Sequence, residues 1–216
     1  MINLTLDGGA TKALQVLCIG CHSDDIEIGC GGTLLRLSEI YPGSTFHWFV
    51  MSASGVRGVE ARRAAGLFID EKQLAGPTLK SFPDGFMPYV GGEVKAVFES
   101  MKSISPDVIF THSRDDAHQD HRLISELTWN TFRNHLILEF EIPKYDGDMG
   151  RPSVFFPLSS ELCERKIRYL MESFESQTSK PWFQPETFRS LMRLRGMECN
   201  SPSGYAEAFY CRKIVL

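Results

Sequence analysis

The chain has 216 residues, 43% of them hydrophobic and 23% charged, which is enough to bury a core and is unlike a disordered protein. Its formal net charge is -4, and no run of Lys or Arg is long enough to neutralise a line of phosphates, so nucleic acid is not expected as a partner. The apolar run at residues 13–20 is too short to cross a bilayer and no basic segment precedes it, so neither a transmembrane segment nor a signal peptide is expected.

Strands and helices alternate through the first two-thirds of the sequence. Apolar runs predict strands at residues 13–20, 45–51, 74–81 and 108–111. Amphipathic runs predict helices at residues 32–40, 59–68, 93–103 and 120–132. This alternation predicts an α/β fold, a Rossmann-like three-layer sandwich in which helices flank a mostly parallel sheet.

The last third is less regular, with strands predicted at 137–142 and 154–158 and helices at 162–174 and 186–194. We expect this part to cover the functional site. No repeat or linker interrupts the sequence, so one domain is predicted for residues 1–216.

The cysteines favour a reducing compartment, and we predict a cytoplasmic protein. There are six, without the dense regular spacing of a small secreted domain: Cys18, Cys21, Cys30, Cys163, Cys199 and Cys211. Cys18 and Cys21 form a C-x-x-C that would suit a redox pair or half of a zinc site. We interpret them as structural, because no second C-x-x-C exists and no helix N-terminus activates them here.

Two polar clusters follow two strand ends that should be neighbours in such a sheet, at Gly20 and at Thr111. The clusters are His-Ser-Asp-Asp at 22–25 and His-Gln-Asp-His at 118–121. Imidazole and carboxylate together suit an ion such as zinc, and three protein ligands with one open position are typical of a catalytic site. If such a site uses three of these residues, others remain beside it as proton-transfer groups for a hydrolytic reaction.

The aspartates, histidines and glycines of these segments also have structural interpretations. Adjacent aspartates after a strand often form a turn and helix cap, and a lone His near an apolar strand is often a core residue. His47 and His135 are interpreted as structural, and His112 as structural in preference to lining the site. The glycines at 29–32 do not satisfy G-x-G-x-x-G, so they are interpreted as allowing close packing at the start of the first helix.

With these residues identified, the chain resembles the PIG-L/LmbE-like de-N-acetylases. That family has Ala-His-Pro-Asp-Asp followed by Gly-Gly-Thr-Leu, and later His-Pro-Asp-His. The matching segments here are 21–25, 31–34 and 118–121, with an Arg57-x-x-Glu60 helix and a C-terminal segment at 205–209. Ser23 and Gln119 replace the two motif prolines, and Cys21 replaces the motif alanine.

The resemblance implies three ligands for the ion: His22, Asp25 and His121. It also implies that Asp24 is the general base, His118 the general acid, and Asp120 the residue that orients His118. The cofactor expected from these residues is Zn²⁺, with Fe²⁺ as the alternative.

The predicted function is hydrolysis of an acetyl group from the nitrogen of an N-acetylglucosamine-type sugar. Arg57 and Trp182 are candidate substrate-binding residues, and Arg151 and Phe183 could contact the substrate in the same way. For the two aromatic residues a place in the core is equally consistent, and for each arginine the alternative is a surface ion pair. The expected partner is a small N-acetylated sugar or glycoconjugate, and a homo-oligomer is left open. The alternatives are a metal hydrolase of another amide or a phosphate ester, and an inactive sugar-binding homologue.

Overall fold

The computed structural model describes residues 13–215. Its strands are β1 Gln15–His22, β2 Thr45–Ser52, β3 Thr78–Leu79, β4 Val108–His112, β5 Leu136–Phe140, β6 Val154–Leu158 and β7 Tyr205–Tyr210. Its α-helices are α1 Asp25–Ile40, α2 Gly55–Phe68, α3 Gly91–Met101, α4 Gln119–Thr131, α5 Ser160–Ser173 and α6 Pro185–Glu198. The single domain predicted for residues 1–216 extends beyond the described residues at both ends.

The strands form one sheet in the order β3-β2-β1-β4-β5-β7-β6. The first five strands pair in parallel, and β7 runs antiparallel to both of its neighbours, β5 and β6. The predicted mostly parallel α/β fold is therefore confirmed. No helix among residues 13–215 is long and apolar enough to cross a membrane.

The sheet separates two hydrophobic cores. Val16 and Cys18 of β1 belong to the core that lies beneath α1, α2, α5 and α6. Leu17, Ile19 and Cys21 belong to the core beneath α3 and α4. Alternation along the strand thus places Cys18 and Cys21 on opposite faces, and both are buried free thiols.

The first and fourth strands are neighbours, as the sequence predicted. Val16 pairs with Val108, and Cys18 with Phe110. Because both strands run in the same direction, their carboxyl ends meet at one edge of the sheet. The order reverses here, since β2 lies on one side of β1 and β4 on the other.

The first helix begins at Asp25, seven residues earlier than predicted. Its glycines lie inside the helix, where an added Cβ would come within 2.4 Å of Phe140 at Gly29 and 2.5 Å of Phe68 at Gly31. The predicted role of the glycines in close packing is therefore supported, and the helix extends toward its N-terminus through glycines of low helix propensity.

Two strands differ from the prediction. The run at 74–81 contributes only β3, a two-residue strand at the edge of the sheet. The strand β7 was not predicted, because its six residues include two alanines and a glutamate, which have low strand propensity. The C-terminal third extends the sheet and packs α5 and α6 onto the helical layer beside α1.

Candidate active site

The two predicted clusters come together at the carboxyl edge of β1 and β4. His22 is the last residue of β1 and Asp25 the first of α1, so both lie at a strand-to-helix turn. His118 is the N-cap of α4, which places His121 in the first turn of that helix. One cluster therefore enters from each of two neighbouring strand-helix units.

Three donor atoms form a tight triangle at this edge. His22 Nδ1 lies 3.0 Å from His121 Nε2 and 3.4 Å from Asp25 Oδ2, and His121 Nε2 lies 3.5 Å from Asp25 Oδ2. Ligand bonds of about 2.0–2.2 Å in a tetrahedral zinc site place the ligand atoms about 3.3–3.6 Å apart. The spacing of this triangle, and the chemistry of its donors, fit a divalent cation.

Two corners of the triangle, His121 and Asp25, have ionisation states that suit a cation. At the third corner, burial lowers the pKa of His22, but Cys21, Asp25 and Asp84 raise it well above its usual value. Burial and the neighbouring His112 lower the pKa of His121 to about 4, so its imidazole is neutral near pH 7. Burial raises the pKa of Asp25, but His121 and His112 lower it well below its usual value, so its carboxyl group is ionised. Neutral imidazole and ionised carboxylate are the forms that bind metals.

Each of the two histidines has a carboxylate on its other ring nitrogen. His22 Nε2 lies 2.9 Å from Asp84 Oδ1, and His121 Nδ1 lies 3.0 Å from Asp116 Oδ2. A carboxylate at this position fixes the tautomer and directs the opposite nitrogen toward the metal. Sequence reasoning missed both acids. The Pro83-Asp84-Gly85 turn gave no local signal, whereas Asp116 lies two residues before the second motif and could have been noticed.

His112 lies in the same cluster, although the sequence analysis favoured a structural role for it. Its Nε2 is 3.1 Å from Asp25 Oδ2 and accepts a hydrogen bond from the backbone N–H of Cys21 at 2.9 Å. Its ring stacks on His121 with centroids 3.9 Å apart. His112 is therefore fully buried and packs against two corners of the triangle, Asp25 and His121.

Cys21 lies close to the donor atoms of the triangle. Its thiol lies with the donor atoms of His22, Asp25 and His121 in a group whose members are all within 4.8 Å of one another. Burial raises the pKa of this thiol to about 12. Its sulfur contacts Met87 at 3.8 Å.

Asp24 is buried beside the triangle with one oxygen engaged and the other without a partner among the described residues. Its Oδ1 lies 2.7 Å from Arg57 Nη2, whereas its buried Oδ2 accepts no hydrogen bond from residues 13–215. Burial raises the pKa of Asp24, against the lowering effect of Arg57. Arg57 also contacts Glu60 at 3.1 Å and lies over the ring of Phe174. The second oxygen of Asp24 is able to accept a proton.

His118 is held by the backbone of Asp120. Its Nδ1 accepts a hydrogen bond from the Asp120 N–H at 3.2 Å, so Nε2 carries the ring proton. Burial and the nearby His22 lower the pKa of His118. The Asp120 carboxylate instead accepts hydrogen bonds from the N–H groups of Gly85 and Met87, at 2.7 and 3.2 Å, and so attaches the Asp84 turn to α4.

The remaining candidates lie elsewhere. Trp182 contacts Phe183 and Lys180, and none of its described contacts reaches the histidines. Phe183 is fully buried between Phe174 and Phe188, as a core aromatic. Arg151 is exposed in the connection between β5 and β6.

Several solved structures share this fold at low sequence identity. The conserved protein TT1542 from Thermus thermophilus is 22% identical, with a TM-score of 0.76 over 94% of this chain and 96% of that one. The N,N'-diacetylchitobiose deacetylase from Pyrococcus horikoshii is 19% identical, with a TM-score of 0.70 over 91% and 82%. The 4-carboxy-2-hydroxymuconate hydratase from Pseudomonas putida KT2440 is 16% identical, with a TM-score of 0.70 over 93% and 97%.

Fold similarity at these identities does not assign a reaction, and the last of these proteins is named as a hydratase. No curated protein matches this sequence. A family model described as "PIG-L: GlcNAc-PI de-N-acetylase" matches residues 17–132, more than half of the chain, and this range contains both histidine-aspartate clusters. The chain therefore belongs to the PIG-L family.

Proposed function

We propose that this protein is a metal-dependent hydrolase that removes the acetyl group from the nitrogen of an N-acetylglucosamine-type sugar. The observation that carries the proposal is the donor triangle of His22, Asp25 and His121 beside the buried Asp24, whose Oδ2 has no hydrogen-bond partner among residues 13–215. Zn²⁺ is the ion we propose, with Fe²⁺ as the alternative, because imidazole and carboxylate donors suit both.

When bound, such an ion would polarise the acetyl carbonyl and make a water molecule a better nucleophile near neutral pH. Asp24 takes the proton of the attacking water. Arg57 occupies Oδ1 and leaves Oδ2 as the oxygen that accepts this proton. Burial raises the pKa of Asp24, which makes its carboxylate a stronger base than an exposed aspartate.

His118 acts on the other side of the amide. In the resting state it is neutral and presents its Nε2 proton, because Nδ1 accepts the Asp120 N–H. That proton stabilises the negative charge that develops on the acetyl oxygen. With substrate bound, His118 takes up a proton from solvent and gives one ring proton to the amine nitrogen as the C–N bond breaks, because the amine is too poor a leaving group without it. Asp24 then releases to solvent the proton that it took from water.

The surroundings of the site support a substrate that is larger than the N-acetyl sugar itself. Among residues 13–215 the exposed large aromatic side chains are Phe86, Tyr89 and Tyr145. Phe86 and Tyr89 lie within five residues of Asp84, which contacts His22. Tyr145 is next to Lys144, which contacts Asp116. Exposed aromatic rings at such a position suit an apolar part of a carrier or a second sugar face. We therefore propose a glycoconjugate, with Arg57 contacting its sugar.

Acetate release tests this proposal. The protein loaded with Zn²⁺ or Fe²⁺ is given N-acetylglucosamine, its nucleotide-linked form, and its alkyl and aryl glycosides, and acetate is measured. We expect release that depends on the metal and is faster from the glycosides with apolar aglycones. Asp24→Asn, loaded equally, is the control for contaminating activity. Metal-dependent release of phosphate, or of an acid other than acetate, would favour a different hydrolase, and binding without turnover would favour a sugar-binding protein.

A further inference from the structure

We propose that Asp116 and Lys144 form a positioning pair that orients His121, so that the connection between β5 and β6 helps to set the metal affinity of the site. The inference rests on the proposed function, because it takes His121 as a ligand. It assigns a role to two residues that the proposed chemistry does not itself require.

Asp116 joins the two histidines of the second motif. Its Oδ2 lies 3.0 Å from His121 Nδ1, and its Oδ1 accepts the backbone N–H of His118 at 2.8 Å. The carboxylate is buried. Asp116 is therefore a buried hydrogen-bond acceptor that faces the far nitrogen of His121.

Lys144 fixes this acceptor from the other side. Its Nζ lies 3.0 Å from Asp116 Oδ2, and it also contacts Asp148 and the carbonyl oxygen of Ile142. The Lys144 side chain is only 12% exposed. Asp148 accepts in turn the backbone N–H of Ala117 at 2.7 Å. The β5–β6 connection is thus attached at two points to the turn that precedes the second motif.

This arrangement acts on the metal through a single ring. While His121 donates its Nδ1 proton to Asp116, its Nε2 lone pair points toward His22 Nδ1 and Asp25 Oδ2. Without the acceptor the imidazole is free to rotate or to change tautomer. Loss of such a carboxylate partner costs about 10- to 100-fold in metal affinity. Lys144 does not touch His121, so its effect passes through Asp116 and is smaller.

Metal affinity, measured without substrate, tests the pair. We expect Asp116→Ala to bind Zn²⁺ about 10- to 100-fold more weakly in chelator competition, and to alter the visible spectrum of bound Co²⁺. Asp116→Asn keeps the shape and one acceptor oxygen, so it should fold and lose less affinity. Asp115→Ala is the matched control, because Asp115 is the adjacent acid and its side chain is 84% exposed.

Lys144→Met should weaken binding by a smaller factor than Asp116→Ala. In the double variant its effect should disappear, since Lys144 then has no Asp116 carboxylate to hold against His121. Unchanged affinity and an unchanged Co²⁺ spectrum in both Asp116 variants, with His121→Ala unable to bind, would overturn this inference and leave the proposed function standing. A wild-type protein that binds no divalent ion would overturn both.

Discussion

Two buried ionic clusters lie along the first helix, and their hydrogen bonding differs. Near the third turn, Glu207 accepts the N–H groups of Gly32 and Thr33 at 2.8 and 2.6 Å and pairs with Lys166 at 2.6 Å. Lys166 also donates to the carbonyl oxygen of Ile28 at 2.5 Å. We call this set the Glu207 cluster. Both oxygens of its carboxylate have partners.

The histidine cluster, formed by His22, Asp24, Asp25, His112 and His121 at the start of the same helix, is not satisfied in this way. Within residues 13–215, Asp24 Oδ2 and His112 Nδ1 are buried without partners, and two ring nitrogens face each other at 3.0 Å. Buried charges that stabilise a fold are paired and hydrogen-bonded, as in the Glu207 cluster, whereas unpartnered donors and acceptors gathered around one point can be completed by a bound ion or water. The histidine cluster has the hydrogen bonding expected of the proposed metal site.

The largest expected effect is loss of the metal from the histidine cluster. His22→Ala and His121→Ala each remove one corner of the donor triangle, so we expect both variants to bind no ion at stoichiometric metal and to release no acetate. Elemental analysis after gel filtration measures the occupancy. His47→Ala is the control, since His47 lies in β2 and bonds to Gln15. An ion retained in full by His121→Ala would show that the triangle is the wrong ligand set.

The proton carriers of the histidine cluster should behave differently from its ligands. Asp24→Asn and His118→Ala should keep the ion at saturating metal, while the rate falls by on the order of 10² to 10⁴, the range for one general acid or base. Steady-state kinetics on metal-loaded variants tests this. If Asp24→Asn turns over at the wild-type rate, Asp24 is not the base.

The Glu207 cluster should respond in stability rather than in chemistry. Lys166→Met leaves the buried Glu207 carboxylate without its cation, and we expect the free energy of unfolding to fall by about 3–5 kcal/mol. Urea denaturation of the metal-free protein measures this fall. The double variant Lys166→Met with Glu207→Gln removes the unpaired charge and should recover part of it. A drop in metal affinity of the folded protein would instead mean that the two clusters are coupled through α1.

Part of the histidine cluster could be predicted from the sequence, and part of it could not. The residues at 22–25 and 118–121 were predictable as one cluster, because the first group lies at the carboxyl end of β1 and the second follows β4 after a short loop. Parallel neighbours bring their carboxyl ends together. Asp84 and His112 were not predictable. Asp84 reaches His22 from a loop 62 residues away, and the stacking of His112 on His121 depends on how α4 packs against β4. Contacts of this kind have no local pattern.

The Glu207 cluster was hidden for a related reason. A glutamate in a strand and a lysine in a helix are ordinarily exposed, so neither Glu207 nor Lys166 was singled out. The glycine at position 32 leaves room for the Glu207 carboxylate, since an added Cβ there would lie 2.5 Å from Leu158 and 3.0 Å from Glu207. The glycines of α1 lower helix propensity, yet they lie inside the helix. Packing overrode local propensity at this helix.

The smallest expected effect concerns Arg57, which lies beside the histidine cluster. Among the hydrogen bonds of residues 13–215, Arg57 is the only partner of Asp24 Oδ1. Burial raises the pKa of Asp24 and the Arg57 guanidinium lowers it. In Arg57→Met the pKa should therefore rise further. Because Asp24 must be ionised to act as a base, the acid limb of the kcat/KM profile should move to higher pH.

Arg57→Lys keeps a positive charge, so its acid limb should move less than that of Arg57→Met. The direct role of Arg57 in substrate binding is separable from this effect, since loss of a sugar contact would raise KM at every pH and leave the limb in place. A limb that does not move in Arg57→Met, in fully metal-loaded protein, would mean that the bound ion rather than Arg57 sets the ionisation of Asp24. Arg57 would then be a residue that binds substrate at the edge of the histidine cluster without changing the pKa of Asp24.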